Sequence, residues 1–295
     1  MQILVIGKNG QVAKALYYNR PEQLIFTQLS SEEINLEDDA SIRDALYKYH
    51  SSIDPAMRKV IINAAAYTNV EEAETFIAKA MQINGAAPGI IANFAREYGY
   101  ELVHYSTDYV FDGSKNFPYL ESDATNPINI YGKSKLLGEY NVQASGCDYL
   151  IARTSWVFSE FGVNFVKKIM NLLQERDEIK VISDQMGRPS YAGFIAESTY
   201  KLLSHNICNK KIINICQPDS VSWYGFACKI RENLEARGMK AGLITETLSD
   251  HFKTKAERPK NSVLSIDKLG GIIGEDNIPS WEISLKHVID NILEN

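Results

Sequence analysis

A tyrosine and a lysine stand four residues apart in Tyr131-Gly132-Lys133-Ser134-Lys135. The segment Asn129–Tyr140 around them reads as a helix, so both side chains lie on one face, a turn apart. A buried phenol beside an ammonium group has its anionic form favoured, because the opposite charge lowers its pKa. Such a phenol can give a proton to a carbonyl oxygen and take it back, the acid–base half of interconverting a ketone and an alcohol. Alone, Tyr-x-x-x-Lys more often marks two residues on a solvated helix face. The rest of the chain decides between the two.

A second constellation lies in the first βα unit. Gln2–Ile6 is a short β-type run, followed by Gly7-Lys8-Asn9-Gly10-Gln11-Val12-Ala13 and a helical pattern through Leu16. A strand, a glycine turn and a helix N-terminus form a phosphate site: the backbone comes close to a pyrophosphate and free N–H groups face the anion. Ala13 stands where a third glycine often allows tight packing, and it is small enough to serve. A flexible β-turn is the competing reading, and the βα context tips the motif toward a dinucleotide. After the next strand, Leu24–Thr27, an acid would hold the ribose 2′-hydroxyl of NAD. The run there is Thr27-Gln28-Leu29-Ser30-Ser31, with neither acid nor cation, so NADH and NADPH both stay open.

Further elements position these groups. Ile42, Ala45, Leu46 and Tyr49 repeat at helical spacing and pack on a sheet. Val60–Ile62 is a continuous apolar strand of the buried parallel kind, running into Asn63-Ala64-Ala65-Ala66-Tyr67-Thr68. Small residues there let a flat cofactor lie close, or simply pack the next helix. Asn84, in the following helical region, has no evident role. Glu101–Tyr105 is a strand leading into Ser106-Thr107-Asp108, and Thr107 is placed to bond a substrate carbonyl or to cap a loop. The polar connection 112–129, with Pro118 and Pro127, reads as a substrate loop. Tyr149–Arg153 is a further core strand, ending in Thr154-Ser155-Trp156.

Beyond it the pattern changes. Helices are expected at Asn164–Glu175, Ala192–Leu203, Trp223–Arg237 and Trp281–Leu293. Strands are expected at Lys180–Ser183, Ile212–Ile215, Leu243–Leu248 and Val263–Ser265. Asp184-Gln185-Met186-Gly187-Arg188-Pro189 is a polar turn in which Arg188 can face phosphate. Arg258–Ser262 offers another anion contact, or only a loop.

The whole chain bounds the function. It has 295 residues, 45% hydrophobic, enough for one large or two modest domains. A formal charge of -6 without a basic run argues against nucleic acid. No stretch is long enough to span a membrane and no signal-peptide pattern is present. The four cysteines form no Cys-x-x-Cys pair, as expected of free thiols in a reducing cytoplasm, and the five histidines show no metal-ligand spacing. A homodimer is allowed and nothing in the sequence requires it.

With Thr107, Tyr131 and Lys135 in place, the chain resembles the extended short-chain dehydrogenase/reductases, and within them the dTDP-4-dehydrorhamnose reductases. Ser106–Phe111, Arg153–Val157 and Asp184–Pro189 carry the finer match, together with Gly7–Val12, Asn63–Thr68, Tyr131–Glu139 and Arg258–Leu264. The resemblance implies NADPH or NADH as cofactor and a dTDP-linked 4-keto-6-deoxysugar as substrate, reduced at C4 to give dTDP-L-rhamnose. It implies that Gly7, Gly10, Gln11 and Val12 hold the diphosphate, that Ala66, Tyr67 and Thr68 line the adenosine side, and that Gln28 and Tyr105 also meet cofactor. Tyr131 would be the proton donor, with Lys135 at the nicotinamide ribose. Thr107, Asp108 and Trp156 would meet the sugar. Gln28 departs from the family, where an acid is common. The rivals are another reductase or epimerase of nucleotide sugars, and a non-catalytic regulatory subunit of the methionine adenosyltransferase type. The expected fold is α/β: a Rossmann-type doubly wound parallel sheet with a smaller interleaved C-terminal lobe. The dinucleotide part would be 1–155, rejoined near 190–215, and the substrate lobe 156–189 with 216–295.

Overall fold

In the computed structural model, which describes residues 1–294, the apolar strands of the first half fix the architecture. Along β1 (Gln2–Ile6), Ile3 and Val5 enter one core while Leu4 and Ile6 enter another. In β3 (Lys59–Asn63), Val60 and Ile62 divide from Ile61 in the same way. A strand buried on both faces reads as an unbroken apolar run, and it requires helices above and below.

The sheet adds β2 (Ile25–Leu29), β4 (Glu101–Thr107), β5 (Asp148–Thr154) and β10 (Lys211–Asn214). Its order is β2-β1-β3-β4-β5-β10, every pair parallel. One face is covered by α1 (Gln11–Tyr18), α8 (Ala192–Ser204) and α10 (Asp267–Ile273). The other carries α2 (Asp39–His50), α5 (Ala87–Tyr98) and α6 (Ile130–Ser145). The chain reverses direction across the sheet between β1 and β3, and such a switch point opens a crevice at the strands' carboxyl ends. Between β3 and α5 the chain makes two short helices, α3 (Val70–Ala73) and α4 (Ile77–Met81), and a π-helical stretch, Gln82–Ala86.

A third core forms from later residues. It joins α7 (Phe165–Glu175), α9 (Trp223–Glu235) and α11 (Trp281–Glu294) to the parallel pair β7 (Glu178–Ile182) and β12 (Leu243–Thr247). Two-residue strands stitch this part to the sheet: β6 (Val157–Phe158) pairs with β9 (Ser190–Tyr191), and β8 (Met186–Gly187) with β11 (Val221–Ser222). Leu269, Ile273 and Ile278 return to the core under the main sheet.

One expected strand does not form. Val263–Ser265 pairs through its backbone with Tyr119 alone among the described residues, Tyr119 N–H donating to Val263 O at 2.7 Å and Tyr119 O receiving Ser265 N–H at 2.8 Å. With a single partner residue no ladder can propagate. The π stretch, α3, α10 and the two-residue strands are too short to show a period in sequence. Among the described residues no helix is long and apolar enough to cross a membrane.

Candidate active site

The loops after β1 and β3 touch at the switch point. Gly7 has φ +109, and a Cβ there would lie 2.8 Å from Ala65 N, so only glycine fits. Helix α1 then opens at Gln11 with Gly10 as N-cap and no side-chain cap. Its first-turn N–H groups are left for an anion. A cradle that any side chain would fill, under an uncapped helix end, fits a dinucleotide's diphosphate. Val12 packs against the sheet core. The Gln11 side chain is directed elsewhere: its Oε1 accepts from Ser159 Oγ at 2.8 Å and Asn164 Nδ2 at 3.0 Å. Only its backbone is free for the diphosphate.

The Gln28 Nε2 donates to Ala13 O at 2.9 Å, so this half of the amide braces α1. At the end of β2 the Ser30 N–H and hydroxyl both donate to Glu33 Oε2, at 2.9 and 3.0 Å, and hold that carboxyl below its usual range. Beyond β3, Ala66 is half-buried and Thr68 exposed. Tyr67 is clamped by Asn84: its N–H donates to Asn84 Oδ1 at 2.8 Å, and Asn84 Nδ2 donates to Tyr67 O at 3.0 Å. Asn84 Nδ2 also reaches Ser134 Oγ at 3.0 Å, which ties this loop to α6.

Two elements bring the reactive groups together. β4 ends in Thr107, with Asp108 opening the 3-10 turn after it, and α6 begins one residue before Tyr131. Asn129 fixes that start: its Oδ1 accepts Gly132 N–H at 2.7 Å and its Nδ2 donates to Glu257 O at 2.8 Å. The Thr107 hydroxyl is near enough to act on the Tyr131 phenol, and the Tyr109 ring stands edge-on to that of Tyr131 at 5.9 Å. Burial pushes the phenol up to about 12; the Thr107 hydrogen bond works against this and Asp108 adds to it. This is opposite to the shift expected from the Tyr/Lys pair: burial outweighs the cation, whose Nζ donates to Tyr105 O at 2.6 Å. Burial lowers Lys135 to about 8, partly offset by Glu139.

The Tyr105 hydroxyl pairs with Thr199 Oγ1 at 2.7 Å inside the core, and its carbonyl is the group that Lys135 meets. Glu139, one turn beyond Lys135, takes a two-pronged contact from Arg153: Nε to Oε1 at 2.9 Å and Nη2 to Oε2 at 2.7 Å. Ser106 Oγ adds 2.5 Å to Oε1. The series Lys135–Glu139–Arg153 is thus a buried alternation of charge joining β4, β5 and α6. Sequence reading gave Glu139 and Arg153 no role, although the i, i+4 spacing from Lys135 was available to find the first. Asp108 accepts from Thr107 Oγ1 at 2.9 Å, while its Oδ2 is buried without a hydrogen-bond partner. Burial raises it to about 6, despite Ser262 and Thr107.

A cavity of about 1200 Å³ is lined by Asp112, Ile128, Phe165, Trp223, Arg258 and Lys260 among others, with Thr107, Asp108, Tyr131 and Lys135 outside its lining. Arg258 is paired with Glu71 at 2.6 Å. Trp156 lies behind Trp223, with ring centroids 3.5 Å apart. Arg188 departs from expectation: its Nε and Nη1 are buried near the Cys216 thiol and do not line this cavity.

Known proteins are similar to this chain along its length. The family described as the RmlD substrate binding domain matches residues 1–294. The dTDP-4-dehydrorhamnose reductase of Burkholderia thailandensis is 35% identical over 304 residues, covering 99% of each chain. A crystal structure of a dTDP-4-dehydrorhamnose reductase from Clostridium acetobutylicum superposes with a TM-score of 0.90 at 31% identity, covering 100% of both chains. That of the Bacillus anthracis dTDP-4-dehydrorhamnose reductase in complex with NADP gives 0.88 at 31% identity, covering 100% of this chain and 99% of that one.

Proposed function

We infer the function from one premise: the chain belongs to the family of the RmlD substrate binding domain. It is an oxidoreductase that uses NADPH or NADH to reduce the C4 keto group of dTDP-4-dehydro-L-rhamnose, giving dTDP-L-rhamnose. The residue assignment rests chiefly on one observation. The Thr107 hydroxyl and the Tyr131 phenol share one spot at the carboxyl end of β4, with Lys135 a turn along α6.

Gly7, Gly10 and the backbone of Gln11 and Val12 hold the cofactor diphosphate, and Ala66, Tyr67 and Thr68 line its adenosine side. The bound nicotinamide supplies the hydride. Thr107 turns its one hydroxyl hydrogen from Asp108 Oδ1 to the C4 oxygen, and Tyr131 gives that oxygen its proton. Reduction needs the phenol protonated at the start, and a pKa pushed up to about 12 keeps it so at neutral pH. An alkoxide forming on the sugar is basic enough to take the proton. Lys135, charged below about pH 8, lies at the nicotinamide ribose and steadies the phenolate left behind. Asp108 turns its unpaired oxygen to a sugar hydroxyl, and Trp156 bounds the sugar. The nucleotide occupies the cavity, with Arg258 and Lys260 near its diphosphate.

In this reading residues 1–155 with 190–215 form the dinucleotide part, and 156–189 with 216 onward the substrate lobe, apart from α10 under the sheet. The four free cysteines suit a reducing cytoplasm. The test is net oxidation of NADPH or NADH with dTDP-4-dehydro-L-rhamnose, with dTDP-L-rhamnose formed one for one. Inversion of the sugar without net cofactor consumption, or no turnover, would overturn the reading.

A further inference from the structure

Trp156 stands at φ +45, a left-handed conformation that non-glycine residues seldom adopt. Something must hold it there, and two neighbours do. The Trp223 indole lies 3.5 Å from that of Trp156, centroid to centroid, with 6° between the planes. Aromatic pairs left to themselves prefer an offset or edge-on arrangement at wider spacing, so this close parallel stack is imposed by its surroundings. Elsewhere, Gly187 comes so near that a Cβ on it would lie 2.3 Å from Trp156 Cε2 and 2.5 Å from Nε1.

Both neighbours are set by one piece of backbone. Val221 pairs with Gly187 and Ser222 with Met186, antiparallel. Ser222 then caps α9, its Oγ accepting Gly225 N–H at 3.0 Å, and Trp223 is the first residue of that helix. The β8–β11 pair is therefore a clip: one strand presents a residue without a side chain to the Trp156 ring, and the other presents Trp223. Trp223 also packs on Phe165 at 4.5 Å and lines the cavity.

We propose that Trp223 is a positioning residue for the sugar. It fixes the Trp156 indole in its left-handed setting, and Gly187 makes the setting possible. The proposal rests on the reading of Trp156 as a sugar contact. Its consequence is a division of labour: loss of Trp223 should loosen the sugar without touching proton transfer or cofactor binding.

The experiment uses dTDP-L-rhamnose without cofactor as a non-reacting probe, and dTDP as the probe lacking the sugar. The chain has three tryptophans, and a stacked pair gives a coupled near-ultraviolet circular dichroism signal. Wild type should change that signal on binding dTDP-L-rhamnose. Trp223→Ala should lose the signal, bind dTDP-L-rhamnose roughly tenfold more weakly, lose clearly less affinity for dTDP, whose cavity Trp223 also lines, and keep its NADPH dissociation constant. In turnover, KM for the keto sugar should rise and kcat hold. Trp223→Phe should recover most of the affinity. Gly187→Ala should weaken the sugar probe in the same way, which keeps the test open if Trp223→Ala fails to fold. Wild-type affinity for dTDP-L-rhamnose in Trp223→Phe, Trp223→Ala and Gly187→Ala alike would overturn the proposal, as would a loss shared equally by dTDP. Failure of the reductase reading would look different: wild type would not oxidise NADPH with the keto sugar, whatever the variants bind.

Discussion

The site has two walls built on different principles. One is ionic: β4 and α6 carry Thr107, Asp108, Tyr131 and Lys135, backed by Glu139 and Arg153, and each group is fixed by a hydrogen bond or an ion pair. The other is aromatic: Trp156, Trp223, Phe165 and Phe226 are fixed by stacking and by two-residue strands. The ionic wall sits on long elements whose caps and periods set direction. In the aromatic wall Phe165, Trp223 and Phe226 ride α7 and α9, but Trp156 and the two-residue strands that set it lie where the chain barely forms regular structure. The difference teaches that proton transfer and sugar placement can fail separately, and substitutions should expose the seam.

The largest separation is expected from Tyr131→Phe. Removing the proton donor should lower kcat by about 10²–10⁴-fold. NADPH affinity and the Trp156–Trp223 circular dichroism signal should not change. A variant that reduced the keto sugar at the wild-type rate would remove Tyr131 from its role and leave the aromatic wall standing.

Next are paired losses of stability. Glu139→Gln strands the Arg153 guanidinium and leaves Lys135 without its nearby carboxylate, both only a few per cent exposed. Breaking a buried pair from one side costs about 3–5 kcal/mol. Phe226→Ala, in the fully buried aromatic core, should cost a similar ~3–5 kcal/mol. Denaturant melts should show both. Among the molecules still folded, Glu139→Gln should lower kcat and Phe226→Ala should raise KM. The same kinetic pattern from both would erase the distinction between the walls.

A smaller effect has a pH signature. Asp108 is raised from 3.8 to about 6 by burial, so between those values the folded chain binds a proton that the unfolded chain has released. Its contribution to stability is fully present below pH 3.8 and is lost as pH rises through about 6. The gap corresponds to on the order of 2–3 kcal/mol. Asp108→Asn should therefore raise the melting temperature at pH 7.5, and the gain should shrink toward zero near pH 4. The deficit of Phe226→Ala should be flat over the same range. A pH-independent gain in Asp108→Asn would mean that the carboxyl is solvated in the working protein.

The ionic wall was also the more legible in sequence. The strand, glycine turn and helix around Gly7, and the spacing of Tyr131 and Lys135, follow from local rules that a single segment obeys. Local rules did not reveal partners. Gln11 bonds Ser159 and Asn164, Gln28 braces Ala13, the Tyr105 hydroxyl pairs with Thr199, and Arg188 lies by Cys216. The sequence indicated which element each residue rides on, while the side-chain direction depends on a neighbour over a hundred residues away in some cases. The Tyr131 shift is the plainest case: proximity of Lys135 was readable, but not that burial would outweigh the cation. In the aromatic wall the helices under Phe165 and Trp223 were readable, but the setting of Trp156 left no trace, since strands of two residues have no period and nothing local marks Trp156 for a positive φ.

The smallest effect tests the seam at matched cost. Each wall is introduced by a helix cap: Asn129 precedes Tyr131 by two residues, and Ser222 immediately precedes Trp223. Replacing either cap with alanine should cost about 1 kcal/mol of stability. Because the costs match, any kinetic difference reflects what each cap aims. Asn129→Ala frees the start of α6 and its hold on Glu257 O, so kcat should fall with KM nearly constant. Ser222→Ala lets the first turn of α9 fray under Trp223, so KM for the keto sugar should rise with kcat nearly constant. Steady-state kinetics at saturating NADPH, beside melts of both variants, reads the contrast. If each cap variant lowered kcat and raised KM by the same factor, the two walls would be one cooperative unit, and the separate roles of Tyr131 and Trp223 would lose their structural basis.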